Sequence, residues 1–150
     1  MSERYLGLDV GERYIGVAIS DELGLVASPL MVIDARRNDP FAALAQLVDQ
    51  YQAVGLVVGL PRQLRGGEGT QAKTVRAFIS QLREHIACPI VLWDEWLTTA
   101  QAERALIASG QRRERRRQVI DAVAAALLLQ NYLDARRAQG DGVKSRHLDQ

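Results

Sequence analysis

The sequence predicts one α/β domain: a mixed sheet in which a three-stranded antiparallel meander is extended by parallel strands, with helices packed on both faces. Three observations lead there. Two short apolar runs near the start, Tyr5 to Val10 and Ile15 to Ser20, are separated by Gly11-Glu12-Arg13-Tyr14, which has the length and the glycine of a hairpin loop. Two later β-rich runs, Val54 to Leu60 and Ile90 to Trp93, alternate with helical patterns, as parallel strands with helical crossovers do. Finally, 150 residues that are 47% hydrophobic and 25% charged form a core without the help of a disulfide, and leave little room for a second domain. That composition also excludes a disordered, collagen-like or low-complexity chain.

Taken in order, the elements read as follows. The hairpin is joined by a third run, Leu23 to Ile33, in which Pro29 implies a bend or an exposed edge. Asp39-Pro40 is an N-cap followed by a first-turn proline. It opens an amphipathic helix to about Gln52, with Phe41, Leu44, Leu47, Val48 and Tyr51 at three- and four-residue spacing. Val54 to Leu60 is a buried parallel strand ended by Gly59-Leu60-Pro61. The glycine-bearing stretch Arg62 to Gly69 reads as a loop, and Thr70 opens a helix that carries Val75, Phe78, Ile79 and Leu82. Ile90 to Trp93 is the last strand. Thr98 or Thr99 caps a helix to about Ser109, closed by Gly110. After the basic stretch Gln111 to Arg117, a strongly apolar helix runs from about Gln118 to Arg136. The expected order is β-β-β-α-β-α-β-α-α, with a domain at 1–137 and a disordered tail at 138–150.

Bulk charge names no partner, since Lys+Arg 19 against Asp+Glu 18 leaves +1. Of the basic residues, 17 are Arg and 2 are Lys, and guanidinium suits two-point contacts to phosphate. A single cysteine, Cys88, excludes an intrachain disulfide and a Cys-rich zinc site, and reads as a small buried side chain. The charged opening MSERYLGLDVG has no signal-peptide run, and the longest apolar run, Ala122 to Leu129, is far short of a membrane span. The expectation is a cytoplasmic protein with no membrane partner.

Three carboxylates stand where hydrophobic patterning disfavours them. Asp9 interrupts the first strand, Glu95 with its neighbour Asp94 ends the strand Ile90 to Trp93, and Asp121 lies in the most apolar helix. There it shares a face with Ala124, Ala125 and Leu128. Two of these positions have an ordinary alternative: an Asp near a hairpin forms Asx-turns, and Asp94 or Glu95 can cap the following helix. Together, meeting at one end of a sheet, they would repel one another unless a cation joined them. Mg²⁺ suits such a set, with Mn²⁺ as the alternative ion, because it takes oxygen ligands from one or two carboxylates and from substrate phosphate. The chemistry implied is metal-assisted phosphodiester hydrolysis.

The segments Gly7-Leu8-Asp9-Val10-Gly11 with Ile15-Gly16-Val17-Ala18, Val57-Val58-Gly59-Leu60-Pro61, Asp94-Glu95-Trp96-Leu97-Thr98-Thr99 and Ile120-Asp121-Ala122-Val123-Ala124-Ala125 resemble, in order and spacing, the YqgF/RuvX family. Its members are bacterial proteins described as pre-16S rRNA nucleases or Holliday junction resolvases, and the match runs from about Tyr5 to Leu133. The resemblance implies an RNase H-like fold and a catalytic, metal-binding trio of Asp9, Glu95 and Asp121. It implies an endonuclease acting in 5′-end processing of precursor 16S rRNA during ribosome maturation. The alternatives are a resolvase acting on branched DNA in recombination and repair, or a non-catalytic nucleic-acid-binding factor linked to transcription. The ribosome is a further expected partner, and the chain is a monomer or a homodimer. Two positions depart from the family pattern: Trp96 stands where an Arg usually follows Asp-Glu, and Gln63 where an Asn is common.

The stretch Gln111 to Arg117 holds five arginines against Glu114, just before Asp121. A solvated linker is the plain alternative, but its position favours contact with a phosphate backbone by Arg112, Arg113, Arg115, Arg116 and Arg117. Arg62, Arg65 and Lys73, around the glycine-bearing loop, and Arg13 in the hairpin are expected to contribute. Asp9-Val10-Gly11 also resembles the phosphate loop of the actin, Hsp70 and sugar-kinase superfamily. Those proteins enclose ATP between two such domains, for which 150 residues do not suffice.

Overall fold

In the computed structural model, residues 3–11, 13–60, 70–94 and 113–139 are described. Their elements are β1 (Tyr5–Val10), β2 (Tyr14–Ser20), β3 (Ala27–Asp34), α1 (Pro40–Tyr51), β4 (Gly55–Leu60), α2 (Thr70–Leu82), β5 (Ile90–Asp94) and α3 (Arg113–Ala138). The strands form one sheet in the order β3-β2-β1-β4-β5, with β1, β2 and β3 antiparallel and β4 and β5 parallel to β1. This is the mixed sheet that the meander and the crossover pattern predict.

Strand alternation divides the core in two. Leu6, Leu8, Val10, Ile15, Val17, Leu56 and Val58 point to one face and pack with Leu44 of α1 and Val75, Ile79 and Leu82 of α2. On the other face lie Ala18, Val57 and Val91, packed against Ala125, Leu128, Leu129, Tyr132 and Leu133 of α3. The helices therefore cover both faces. Below α3, Tyr132 meets the rings of Tyr5 at 5.7 Å and Trp93 at 5.3 Å, joining the helix to β1 and β5. Burial pushes the Tyr132 hydroxyl up to about 12.

Local chemistry sets the boundaries. The Asp39 carboxylate accepts hydrogen bonds from the Phe41 and Ala42 amides, with Pro40 in the first turn, so α1 starts where its cap places it. Pro29 lies on the sheet edge, where its missing amide costs no ladder bond, and β3 bulges where its pairing passes Val17/Ala18. Two boundaries differ from expectation. Residues 23–26 form a turn rather than the start of β3, because the Asp21 carboxylate accepts from the Leu25 and Val26 amides and Gly24 takes a positive φ of 69°. And α3 begins at Arg113, not near Gln118. Arg, Glu and Gln are good helix formers, so 113–117 joins the apolar helix instead of linking to it.

The expected helix near 98–109, the loop at 62–69 and the tail beyond Gln139 lie outside the described residues. Among the described residues no helix is long and apolar enough to cross a membrane.

Candidate active site

The site is built where α3 comes down on the β1–β2 hairpin. Asp9 lies directly opposite Gly16 in the antiparallel ladder, so the two share a face about 4.5–5.5 Å apart between Cα atoms. A Cβ added to Gly16 would stand 1.9 Å from the carbonyl oxygen of Asp121 and 2.2 Å from its carbonyl carbon, so the α3 backbone rests on the bare glycine. One helical turn and two turns further on, Ala125 and Leu129 rest on Gly7 in the same way, with a Cβ there 3.0 Å from the Ala125 carbonyl oxygen and 2.8 Å from Leu129 Cβ. Two glycines thus let the helix lie close on the sheet, and the first of them brings Asp121 beside Asp9. Both aspartates are half-buried.

The two aspartates come together at one sheet edge. Asp9 is the penultimate residue of β1, and the parallel strands β4 and β5 end at that edge with Leu60 paired to Asp94. Glu95 follows Asp94 in the chain and lies outside the described residues, as do Arg62, Arg65, Arg112, Gln63 and Trp96. Among the described residues no three His, Cys, Asp or Glu side chains cluster as metal ligands. The two aspartates whose backbones come together here carry carboxylates, hard oxygen groups of the type that Mg²⁺ or Mn²⁺ takes.

The basic residues are distributed around this edge. The start of α3 places Arg117 one turn, and Arg113 two turns, before Asp121, with Arg115 and Arg116 between them. Lys73 is exposed near the start of α2. Because α2 connects two parallel strands it runs back from the same sheet edge, but on the face opposite Asp9. Arg13 is engaged within the protein: its Nε and Nη2 donate to the two carboxylate oxygens of Asp34 at 3.1 and 3.0 Å, and its guanidinium lies 4.9 Å from the Tyr14 ring centroid. This two-point hydrogen bond holds the Asp34 carboxyl below the usual carboxylate range and the guanidinium above its own.

Two features here carry little signal in the sequence. Gly16 was visible only as part of a motif, because a glycine that admits a distant helix gives no local signal. Asp34, Arg36 and Arg37, around the end of β3, form a second charged group, for which the run Asp34-Ala35-Arg36-Arg37 was the available cue. Arg37 Nε lies 3.8 Å from Asp34 Oδ2, and the Arg36 amide donates to Asp34 Oδ1 at 3.1 Å.

Comparison with solved structures places this architecture. RuvC from Thermus thermophilus superposes with a TM-score of 0.54 at 16% identity, covering 90% of this chain and 96% of RuvC. The Thermus thermophilus RuvC complex with a Holliday junction substrate gives 0.53 at 18% identity, covering 89% and 94%. At these identities the likeness is one of fold: a RuvC-like, RNase H-like α/β protein. Closer relatives narrow the class. A protein of Geobacillus kaustophilus named "Putative pre-16S rRNA nuclease" is 47% identical over 137 residues, 89% of this chain and 99% of its own length. One of Symbiobacterium thermophilum with the same name is 49% identical over 134 residues, 89% and 93%. The family model described as "RuvX: Holliday junction resolvase" matches residues 3–135, and the chain belongs to the RuvX family.

Proposed function

We propose that this chain is a metal-dependent endonuclease that hydrolyses phosphodiester bonds in nucleic acid, with precursor 16S rRNA, at its 5′ end, as the substrate. The observation that carries the reading is the juxtaposition of Asp9 and Asp121 on the half-buried face beneath the start of α3. Membership in the RuvX family and the names of its relatives supply the substrate class.

In this reading Asp9 and Asp121 hold the metal ion together with Glu95, the residue that follows β5 in the chain. A bound Mg²⁺ supplies a Lewis acid for the phosphate oxygens and lowers the pKa of a bound water. The chain's contribution is placement. Asp9 is fixed by its pairing with Gly16 in a strand that is laddered on both sides up to Leu8, and Asp121 by a helix pressed onto Gly16, so the backbone beneath each carboxylate is already in place at the moment of reaction. The arginines at the start of α3, with Arg62, Arg65 and Lys73, grip the phosphate backbone without reading sequence. Arg13 contributes indirectly, since Asp34 already occupies its guanidinium.

The test pairs substrate with variant. The full chain with Mg²⁺ should cut precursor 16S rRNA, and Asp9→Asn, which keeps the side-chain shape but loses the charge, should abolish cutting while leaving the fold and much of the nucleic-acid affinity intact. Wild-type turnover in Asp9→Asn would end the metal mechanism. A second reading, resolution of four-way DNA junctions, is favoured by the family description and by the RuvC-like fold. It demands two coordinated nicks and hence a dimer, so preferential junction cleavage by a species of dimeric mass would replace the RNA reading. Binding with no cleavage of either substrate would leave the non-catalytic nucleic-acid-binding factor.

A further inference from the structure

Beside α3, on the side away from β4, a cleft of about 310 Å³ opens between the helix and the edge strand, with Tyr14, Met31, Val32, Asp34 and Ala122 among its walls. We propose that it is a subsite for an unpaired nucleobase of the strand being cut, with Tyr14 as the stacking platform and Arg36 and Arg37 as adjoining phosphate contacts. The proposal rests on the nuclease reading above and extends it to the form of the substrate.

Position is the first argument. Ala122 follows Asp121 in the chain, and Tyr14 lies two residues from Gly16 on the same face of β2, a step of about 6.8 Å. The cleft therefore lies one residue from Asp121 along α3 and one same-face step from Gly16, the partner of Asp9, along β2. A nucleotide next to a phosphate held at Asp9 has only to turn its base across the start of α3 to enter it.

Construction is the second. A stacking platform works best when its ring is already fixed. Here Asp34 grips Arg13 at two points, and the Arg13 guanidinium lies against the Tyr14 ring, so the aromatic wall is set before anything binds. The volume falls at the lower end of small-ligand pockets, suited to one base rather than a longer ligand.

Charge is the third. The guanidinium groups of Arg13 and Arg37 share a single carboxylate, Asp34, and Arg36, whose amide donates to that carboxylate, adds a third positive side chain in the same turn, so three arginines stand against one carboxylate. Arg36 and Arg37 are both exposed, and Arg37 retains 78% of its side-chain surface despite its approach to Asp34. Such a surplus beside an aromatic cleft matches a single strand, whose base stacks while its phosphates meet guanidinium groups. A base inside a duplex is stacked on both sides and cannot enter, so the strand must be unpaired at this point.

The experiment uses the Asp9→Asn chain, which is expected to bind without cutting, and a single-stranded oligoribonucleotide alongside the same sequence as a duplex. Adding Tyr14→Ala should weaken single-strand binding on the order of tenfold, within the range of one lost base–aromatic stack. Tyr14→Phe should restore it, and duplex binding should be indifferent to both changes. Replacing Arg36 and Arg37 with Ala should flatten the salt dependence of single-strand affinity by about 1.4 in log–log slope. Photocrosslinking of 5-iodouridine in the bound strand to Tyr14, read by mass spectrometry, decides the matter even if Tyr14→Ala folds poorly. Crosslinks only elsewhere, or single-strand affinity unchanged in a folded Tyr14→Ala chain, would overturn the subsite and leave the nuclease reading standing. Failure of the Asp9→Asn chain to bind any nucleic acid would bring down both.

Discussion

At Gly16 a hydrogen stands where any other residue would drive a carbon to 1.9 Å from the backbone of Asp121. The obstruction is helix backbone, which cannot swing aside like a side chain, so Gly16→Ala must lift α3 from the sheet. The expected cost is about 3 kcal/mol or more, at the upper end of overpacking penalties, with cleavage lost because Asp121 leaves Asp9. Denaturant titration and activity should fall together, and a stable, active Gly16→Ala chain would show that the contact is slack. A second prediction concerns Asp34, whose carboxyl is held low by Arg13. A depressed folded value stabilises the fold above the unfolded carboxylate pKa of about 3.9, and this is lost as pH falls through the folded value. The stability difference between wild type and Asp34→Asn should thus be present at pH 7 and shrink in strong acid. A difference constant across that range would remove the ion pair as its cause. These two residues also mark how far the sequence could be read. Asp9 and Asp121 stood out because a carboxylate breaks an apolar pattern locally, whereas the partners of Gly16 and Arg13 lie 105 and 21 positions away in sequence, where patterning gives no cue.

Elements were legible where their ends are chemically marked. Asp39-Pro40 announces α1, and the structure puts the cap bonds there. The parallel strands were legible from β-branched runs separated by a helical stretch. The start of α3 was not, because nothing near 113 resembles a cap and the change from basic to apolar composition suggested a boundary that the backbone ignores. The consequence is electrostatic. Four arginines and one glutamate open a helix whose first turn favours negative charge, so this terminus is opposed by its own macrodipole until an anion arrives. Replacing Arg115, Arg116 and Arg117 with Ala, a better helix former, should leave stability nearly unchanged or slightly raised. Nucleic-acid affinity should fall similarly for all sequences, with the log–log salt slope flattened by up to about 2. Reduced cleavage with an unchanged slope would mean that these residues act by positioning Asp121, and would leave Arg62 and Arg65 as the main grip.

For the molecule as a whole, the proposed metal role of Asp9 and Asp121 predicts a link between stability and metal. Asp9 sits in β1, the central strand, which is covered by α1 and α2 on one face and by α3 on the other. Asp121 sits in α3, whose apolar stripe fills the second core. Anything that binds both residues therefore ties the helix to the middle of the sheet, and it can do so only when both are in place. Unfolding separates them, so an ion that bridges them binds the folded chain and not the unfolded one. It then stabilises by RT ln(1 + [L]/Kd), roughly 1.4 kcal/mol at ten times Kd. For a chain of 150 residues that is a rise in Tm of about 3–6 °C. Wild-type protein should therefore melt higher in Mg²⁺ than in EDTA, and Asp9→Asn and Asp121→Asn should each lose most of the difference. Because no substrate is present, this readout is independent of cleavage and of whether the natural target is RNA or DNA. General ionic effects would raise or lower all three chains alike, and Na⁺ at matched ionic strength separates them from binding at the site. A wild-type Tm indifferent to Mg²⁺ at millimolar concentration would mean that the pair holds the ion only once substrate phosphate adds its own oxygens. The same titration repeated with the Asp9→Asn chain and with wild type, each bound to an oligonucleotide, should then show the Mg²⁺ rise in wild type alone.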